Sequence, residues 1–286
     1  MRFKSFAFLI LVIALSCSAY AQGAKPAQKW ATFEGNKVGY YDIGNPKSEQ
    51  ALVFVHCWTC NVEFWKDSYN AFPNYRVIAM DLPGHGTSDK PKVDYSMEFF
   101  AKSVDAVLRK AGVKKAVLAG HSMGTPIMRR YYELYPEKTL GLVIVDGALL
   151  PFGPRSEVEK FFEPIFANYK GGAATFIDGM LPATIQPELK SFIRSSMLAT
   201  PDHVGSSAMK LMLDDSYSTH GKINVPVLAV MAPTPFWPPD VKEKYQAIAP
   251  DLDFQMWPGV SHFLMMEKPK EFNDAVRSFI AKKKLL

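Results

Sequence analysis

Cysteine is scarce in this chain, and charge of one sign is only slightly in excess. Three cysteines among 286 residues are too few for the disulfide framework of a small secreted domain. A formal net charge of +5 is too small to indicate binding to nucleic acid or to an anionic membrane. No repeat, low-complexity tract or membrane-spanning apolar run appears after residue 22. We therefore expect a globular chain with no nucleic-acid partner and no stable membrane insertion once its N-terminal segment is removed.

The N-terminus has the tripartite pattern of a secretory signal peptide. Two cations precede the apolar run 6–15, and the tripeptide 19–21 offers a small-x-small cleavage site before Gln22. Removal of residues 1–21 lowers the Lys and Arg count from 33 to 31 against 28 Asp and Glu, a net charge of +3. We predict a secreted or periplasmic protein. An uncleaved membrane anchor and a lipoprotein attached through Cys17 are the alternatives.

Short apolar runs recur along the chain, and most precede a helical pattern. Their hydrophobicity is continuous rather than alternating, which is typical of parallel strands that helices cover on both faces. Strand–helix alternation of this kind predicts a doubly wound α/β domain. The predicted strands cover 51–56, 75–82, 116–120, 140–146, 226–232 and 252–257, with a weaker alternation over 29–42 that turns at 34–36, and the predicted helices cover 96–111, 123–135 and 268–283.

The segment 149–220 interrupts this alternation. It contains no convincing strand and many phenylalanines and methionines, and prolines divide it into short helical stretches. An insertion of this kind between two strands predicts a helical cap, with ordinary core helices as the alternative. The predicted organisation is a signal peptide at 1–21, an α/β core at 22–148 and 221–286, and the cap at 149–220.

The segment Gly120–His121–Ser122–Met123–Gly124 has the pattern G-x-S-x-G between a predicted strand and a predicted helix. A serine in a sharp strand-to-helix turn crowds the positions two before and two after it, where only small residues fit. Ser122 would project at the carboxyl edge of the sheet. The N–H of Met123 would lie at a helix N-terminus, which favours developing negative charge. We predict that Ser122 is a nucleophile, against the alternative of an ordinary glycine-rich turn.

Four segments, in this order, resemble the α/β-hydrolase fold family, and the resemblance covers essentially all of the chain after residue 21. It implies an α/β-hydrolase fold with a mostly parallel central sheet, helices on both faces and a helical cap inserted after the sixth strand. The segments are FVHCW (54–58), similar to the oxyanion loop; MDLPGHGTSD (80–89), similar to the loop after the fourth strand; the nucleophile elbow GHSMG (120–124); and WPGVSHFLMMEKP (257–269), which matches the loop of the catalytic histidine.

His262 is the predicted general base. It lies late in the chain, in a glycine-containing loop after the last predicted strand, and Ser before His is the order that such hydrolases use. Its imidazole can accept the serine proton and return it to the leaving group. No two of the six histidines have convincing metal-ligand spacing with a carboxylate, so we expect no metal and no cofactor. The other five are assigned bracing, packing or surface positions: His56, His85, His121, His203 and His220.

The acid of the predicted triad departs from the commonest family pattern. Relatives usually place an aspartate just after the seventh strand, where this chain has Ala-Pro-Thr-Pro at 232–235. Some members carry the acid after the sixth strand instead, and Asp146 occupies that position, 24 residues after Ser122. We predict that Asp146 orients His262. Asp240, an unidentified acid and a Ser-His dyad remain the alternatives.

A serine at the elbow indicates acyl chemistry, because epoxide hydrolases and haloalkane dehalogenases of this fold use aspartate there. The sequence predicts a serine hydrolase of carboxylic esters, thioesters or lactones, and the aromatic, methionine-rich cap favours a small to medium apolar substrate. The backbone N–H groups of Met123 and Trp58 are the expected oxyanion donors. The alternatives are a non-hydrolytic binding protein and a thiol–disulfide oxidoreductase. The candidate substrate-binding residues are Trp58, His121, Phe236 and Trp237.

Cys57 and Cys60 form a C-x-x-C pair directly after a predicted strand, where a redox motif would also lie. Judged by the resemblance, Cys57 occupies a position that is usually glycine, in the oxyanion loop. The two sulfurs either form a bridge that stiffens this loop or remain buried free thiols.

Overall fold

The structure, a computed structural model, describes residues 25–151, 153–214 and 221–286. The predicted signal peptide at 1–21 and Cys17 lie outside these residues. Within the described part, one sheet of eight strands forms the centre of the molecule. The strands are β1 (Lys29–Phe33), β2 (Asn36–Ile43), β3 (Gln50–Val55), β4 (Val77–Met80), β5 (Lys115–His121), β6 (Thr139–Val145), β7 (Val227–Met231) and β8 (Leu252–Met256).

The sheet is mostly parallel, as the apolar runs predict. Its order is β1-β2-β4-β3-β5-β6-β7-β8, and every neighbouring pair from β4 to β8 is parallel. The antiparallel part is the β1–β2 hairpin and its pairing with β4. Glu34 and Gly35 join the hairpin with positive φ values of 47° and 78°, the backbone of a type I′ turn. The predicted turn at 34–36 is therefore confirmed.

Helices surround the sheet. α1 begins after Ser96, whose side chain accepts a 3.0 Å hydrogen bond from the N–H of Phe99, and it ends at Gly112 with φ 74°. No helix in the described ranges is both long and apolar enough to cross a membrane. The helices are α1 (Met97–Ala111), α2 (Gly124–Leu134), α3 (Arg155–Ala167), α4 (Tyr169–Gly179), α5 (Pro187–Leu198), α6 (Asp202–Met209), α7 (Val241–Ile248), α8 (Leu264–Glu267) and α9 (Pro269–Lys283).

Burial follows the position of each strand in the sheet. Every residue of β4 and of β7 is buried, which explains why their sequences show no alternation of apolar and polar residues. β8 is the last strand of the order and has no buried residue, because an edge strand is covered less completely. The hydrophobic core therefore lies on both faces of the central strands.

The described part of the predicted cap, 149–151 and 153–214, contains helices α3 to α6 and no strand. These helices lie between β6 and β7 in the chain and contact the loop that follows β3. The indole Nε1–H of Trp58 donates to the carbonyl oxygen of Gly205 at 2.8 Å. The hydroxyl of Thr200 donates to the carbonyl oxygen of Thr59 at 3.0 Å. Since this loop leaves the carboxyl end of β3, the inserted helices lie against that edge of the sheet.

Candidate active site

The predicted catalytic residues follow strands that end at one edge of the sheet. Ser122 follows β5, Asp146 follows β6, and His262 lies in the loop after β8. These strands run parallel, so their carboxyl ends meet at the same edge, where open α/β sheets bind their ligands. The loop after β3, which carries Trp58, begins at that edge too.

Ser122 occupies a strained turn between β5 and α2. Its φ is 53°, in the left-handed region that non-glycine residues seldom adopt, and its N–H donates to the carbonyl oxygen of Val145 at 3.0 Å. A Cβ on Gly120 would lie 2.5 Å from the carbonyl oxygen of Gly124. A Cβ on Gly124 would lie 2.5 Å from the carbonyl oxygen of Val55. Both flanking positions therefore require glycine, for the steric reason that the sequence pattern indicates.

Asp146 and His262 form a close pair. Oδ2 of Asp146 lies 2.6 Å from Nδ1 of His262, and the carboxylate is almost fully buried. Its other oxygen, Oδ1, accepts hydrogen bonds from the N–H of Ala232 at 2.9 Å and from Nε1–H of Trp237 at 3.2 Å. These two donors and the imidazole satisfy a carboxylate that would otherwise be costly to bury. The role of Trp237 toward Asp146 has no local signal in the sequence, because 91 residues separate the two.

The alternative acid Asp240 and the histidine His203 lie elsewhere. Asp240 precedes α7, its side chain is 58% exposed, and its carboxylate pairs with Lys244 at 3.0 Å. The structure therefore brings Asp146 to His262 and leaves Asp240 on the surface. His203 lies on α6, and His220 lies outside the described residues.

His121 connects the serine turn to the histidine loop. Its Nε2–H donates to the carbonyl oxygen of His262 at 2.8 Å, and the two ring centroids are 4.7 Å apart. Since His121 directly precedes Ser122, this contact places the His262 loop beside the turn. Burial holds the pKa of His121 well below its usual value, so the ring is neutral at pH 7. A ring nitrogen of His121 and the sulfurs of Cys57 and Cys60 lie within 4.8 Å of one another, as a metal-binding group would.

His56 and His85 brace backbone, as the sequence predicts. Nδ1–H of His56 donates to the carbonyl oxygen of Cys57 at 2.8 Å, and its Nε2 accepts from the N–H of Leu82 at 2.9 Å. Nδ1–H of His85 donates to the carbonyl oxygen of Pro83 at 3.0 Å. Burial lowers the pKa of His56 to about 4 and that of His85 to about 3. Both side chains are therefore neutral structural groups.

The loop after β3 is closed by a disulfide between Cys57 and Cys60. Of the two arrangements open from the sequence, the structure has the bridge. Trp58 lies inside this loop with 5% of its surface exposed, held by the hydrogen bond from its indole to Gly205. Met123 is the N-cap residue that precedes α2, and it is buried. The two backbone N–H groups expected to receive an oxyanion thus belong to a loop closed by a disulfide and to the buried start of a helix.

An aromatic cluster extends from Trp58 to the loop after β7. The ring of Trp58 lies 5.8 Å from that of Phe176, which packs 6.1 Å from Phe161 on α3. Phe161 in turn lies 5.4 Å from Phe236, and these last two side chains are 48% and 60% exposed. Phe236, a predicted substrate-binding residue, therefore presents an open apolar surface next to Trp237. His121, which the sequence also predicts to bind substrate, is instead fully buried next to the turn of Ser122.

Comparisons with known proteins agree with this fold. A family model described as the alpha/beta hydrolase fold matches residues 50–199, which is 150 of 286 residues. The AB hydrolase superfamily protein YisY of Bacillus subtilis is 26% identical over 200 residues, 65% of this chain and 74% of that protein. The non-heme chloroperoxidase of Streptomyces lividans is 35% identical over 147 residues, 50% of this chain and 53% of that protein, so this chain spans about half the length of that relative.

A solved structure with a similar fold supports the same assignment of the fold. The esterase EaEST from Exiguobacterium antarcticum has a TM-score of 0.78 and 19% sequence identity, with 90% of this chain and 100% of that chain covered. At 19% identity, the likeness shows the fold alone.

Proposed function

Because this chain belongs to the α/β-hydrolase fold family, we propose that it is a serine hydrolase that cleaves carboxylic esters. The observation that carries the proposal is the 2.6 Å contact between His262 and Asp146, together with the 2.8 Å hydrogen bond by which His121, the residue before the strained Ser122, holds the loop of His262. A base that is oriented by a carboxylate and adjacent to a strained serine is the arrangement that activates a hydroxyl for attack on an acyl group.

In the proposed mechanism, Ser122 attacks the carbonyl carbon while His262 takes the hydroxyl proton. Asp146 keeps the proton of the resting imidazole on Nδ1, so that Nε2 is free to act as the base, and it stabilises the imidazolium that forms. The backbone N–H groups of Met123 and Trp58 stabilise the oxyanion, with each donor typically worth about 3 kcal/mol. His262 then protonates the leaving alcohol, and water hydrolyses the acyl-enzyme by the same route.

The surfaces around the site support the proposed substrate class. The exposed faces of Phe161 and Phe236 favour an apolar acyl or alcohol group. Thioesters and lactones have the same electrophilic carbonyl and are the nearest chemical alternatives. We place the protein outside the cytosol after removal of residues 1–21, because the signal-peptide pattern and the Cys57–Cys60 bridge both suit an oxidising compartment.

The same structure argues against a thiol–disulfide oxidoreductase. Cys57 and Cys60 are 2% and 0% exposed, so both are too buried for the thiol of a partner protein to dock against either sulfur. Replacing both cysteines by serine would abolish all activity only if they were the reactive centre.

Fluorophosphonate labelling combined with an ester screen tests the proposal. We expect stoichiometric labelling of the wild type and hydrolysis of aryl esters of graded chain length, and we expect both to be lost in Ser122→Ala. The matched control is Ser195→Ala on α5, whose hydroxyl is exposed and bonded only to its own helix. Folded protein that is neither labelled nor active would favour a non-hydrolytic binding protein. Labelling that persists in Ser122→Ala would show that Ser122 is not the nucleophile.

A further inference from the structure

A cluster of three potential metal ligands lies next to the proposed catalytic residues and takes no part in the proposed mechanism. It consists of the sulfurs of Cys57 and Cys60 and a ring nitrogen of His121, all within 4.8 Å of one another. All three side chains are buried. The cysteines come from the loop after β3 and the histidine from the end of β5, so the group joins two neighbouring parallel strands.

The hydrogen bonding of His121 leaves one nitrogen free to bind a ligand. Nε2 must carry the proton, because the carbonyl oxygen of His262 that it contacts at 2.8 Å can only accept. Nδ1 of the neutral ring then holds a lone pair, and it is buried with no hydrogen-bond partner. Histidines that bind metals usually donate their other ring N–H to a carbonyl or carboxylate in this way, which fixes the tautomer and the ring orientation.

The spacing and the charge of the group both suit a divalent, thiophilic cation. In a tetrahedral zinc site with bonds of about 2.0–2.3 Å, the ligand atoms lie roughly 3.3–3.8 Å apart, which small side-chain rotations would reach from the present positions. Two thiolates and a neutral imidazole balance a charge of +2, so the occupied site is electrically neutral and can remain buried. Sulfur and imidazole ligands select zinc over magnesium or calcium, which prefer oxygen.

We propose that Cys57, Cys60 and His121, once the disulfide is reduced, form a binding site for Zn²⁺ or a similar thiophilic divalent cation. Reduction by a small phosphine breaks the sulfur–sulfur bond and yields two thiols, while the phosphine is oxidised to its oxide and water supplies the oxygen atom and the two protons. Binding of the cation then releases both thiol protons, so the disulfide and the metal exclude each other. The bound cation would tether the loop of Trp58 to the turn of Ser122. Sequence spacing among histidines and carboxylates does not predict this site, because its ligands meet only in the folded chain.

Cobalt titration of the reduced full chain tests the proposal, because Co²⁺ bound by thiolates in a tetrahedral site has intense visible absorption. The protein is reduced with a phosphine and desalted without oxygen, and Co²⁺ is added and then displaced by Zn²⁺. We expect equimolar binding by the reduced wild type and none by the oxidised protein. The Cys57→Ser, Cys60→Ser double variant should lose the cobalt spectrum, and His121→Gln should lose at least about tenfold in affinity. His203→Gln, in the inserted helices, is the matched control and should bind as the wild type does.

Two results would overturn the proposal. One is a reduced wild type that titrates two free thiols per chain yet develops no cobalt absorption. The other is an unchanged spectrum and affinity in His121→Gln. If that variant does not fold, zinc-edge X-ray absorption on the wild type replaces it, since the proposed site requires two sulfur ligands and a histidine nitrogen. These measurements do not use ester hydrolysis, so they can fail or succeed independently of the proposed function.

Discussion

Nδ1 of His262 lies 2.6 Å from Oδ2 of Asp146, although 116 residues separate the two in the chain. Asp146 follows β6 and His262 follows β8, with β7 between those strands. The N–H of Ala232, which follows β7, donates to the same carboxylate at 2.9 Å. Three adjacent strand ends therefore converge on one buried carboxyl group.

Replacing Asp146 by asparagine should nearly abolish ester hydrolysis. The amide keeps the shape of the carboxyl group but favours the wrong tautomer of His262 and does not stabilise its positive form, so we expect kcat to fall by about 10⁴-fold. Asp240→Asn is the matched control, because its carboxylate is exposed and paired with Lys244, and its kcat should stay within about twofold of the wild type. Steady-state kinetics on one aryl ester measures both. Activity that survives in Asp146→Asn and disappears in Asp240→Asn would show that the acid is misassigned.

Trp237→Phe should lower kcat by about tenfold, or ~1.4 kcal/mol, because it removes the 3.2 Å hydrogen bond to Oδ1 of Asp146. The sequence alone predicts Trp237 to bind substrate, and a lost substrate contact would raise KM instead. Which of the two constants changes therefore distinguishes the roles: a positioning residue lowers kcat, and a binding residue raises KM. Trp257→Phe is the control, since its indole donates to Gln255 at 3.1 Å, and both constants should stay near those of the wild type.

Gly124→Ala should destabilise the protein by about 1–3 kcal/mol, because the added Cβ would lie 2.5 Å from the carbonyl oxygen of Val55. Any folded fraction should also lose hydrolysis, since the turn that presents Ser122 must shift. Urea denaturation gives the free energy of unfolding. Gly179→Ala at the end of α4 is the control. Its added Cβ meets nothing within 4 Å, so its free energy of unfolding should stay equal or rise slightly. Equal stability of the two variants would contradict the steric account of the turn.

The free energy of unfolding should fall as the pH is lowered from 6.5. Burial lowers the pKa of His56 to about 4 and that of His85 to about 3, whereas histidines of the unfolded chain titrate near 6.5. Below pH 6.5 the unfolded chain therefore binds protons that the folded chain rejects, so acid favours unfolding. Each such histidine contributes a loss of about 1.4 kcal/mol per pH unit, until the pH reaches its folded-state pKa.

His85→Gln isolates one of these contributions. Between about pH 6.5 and about pH 5, its loss of stability should be smaller than that of the wild type by roughly 2 kcal/mol, as measured by urea denaturation at each pH. His203→Gln, at a half-buried position on α6, should show the same pH dependence as the wild type. A His85→Gln profile parallel to the wild type would mean that His85 does not resist protonation in the folded state.

Much of the fold and part of the site follow from local sequence. The continuous apolar runs predict the central strands, because residues buried on both faces of a sheet must all be apolar. The glycines around Ser122 predict its turn, because the crowding comes from atoms within a few residues and from the adjacent strand. The hairpin turn at 34–36 is likewise encoded by its own residues.

The sequence offers candidates for the acid of the proposed triad but does not select one of them. Asp146 and Asp240 both follow strands of the sheet. Only the folded structure shows that Asp146 is the one that contacts Nδ1 of His262. The contact of Trp237 with Asp146 and that of His121 with the two cysteines have no local pattern at all. These contacts depend on the positions of loops that are far apart in the chain, and the packing of the whole sheet sets those positions.

By itself, then, the sequence determines which segments become strands and which serine occupies a strained turn, because these properties depend on burial patterns and on steric contacts between near neighbours. The tertiary structure decides which carboxylate contacts His262, that the indole of Trp237 donates to the same carboxylate, and that Cys57 and Cys60 lie close to His121. Those relationships arise where parallel strands that are far apart in the chain end side by side, so the order and register of the sheet decide them.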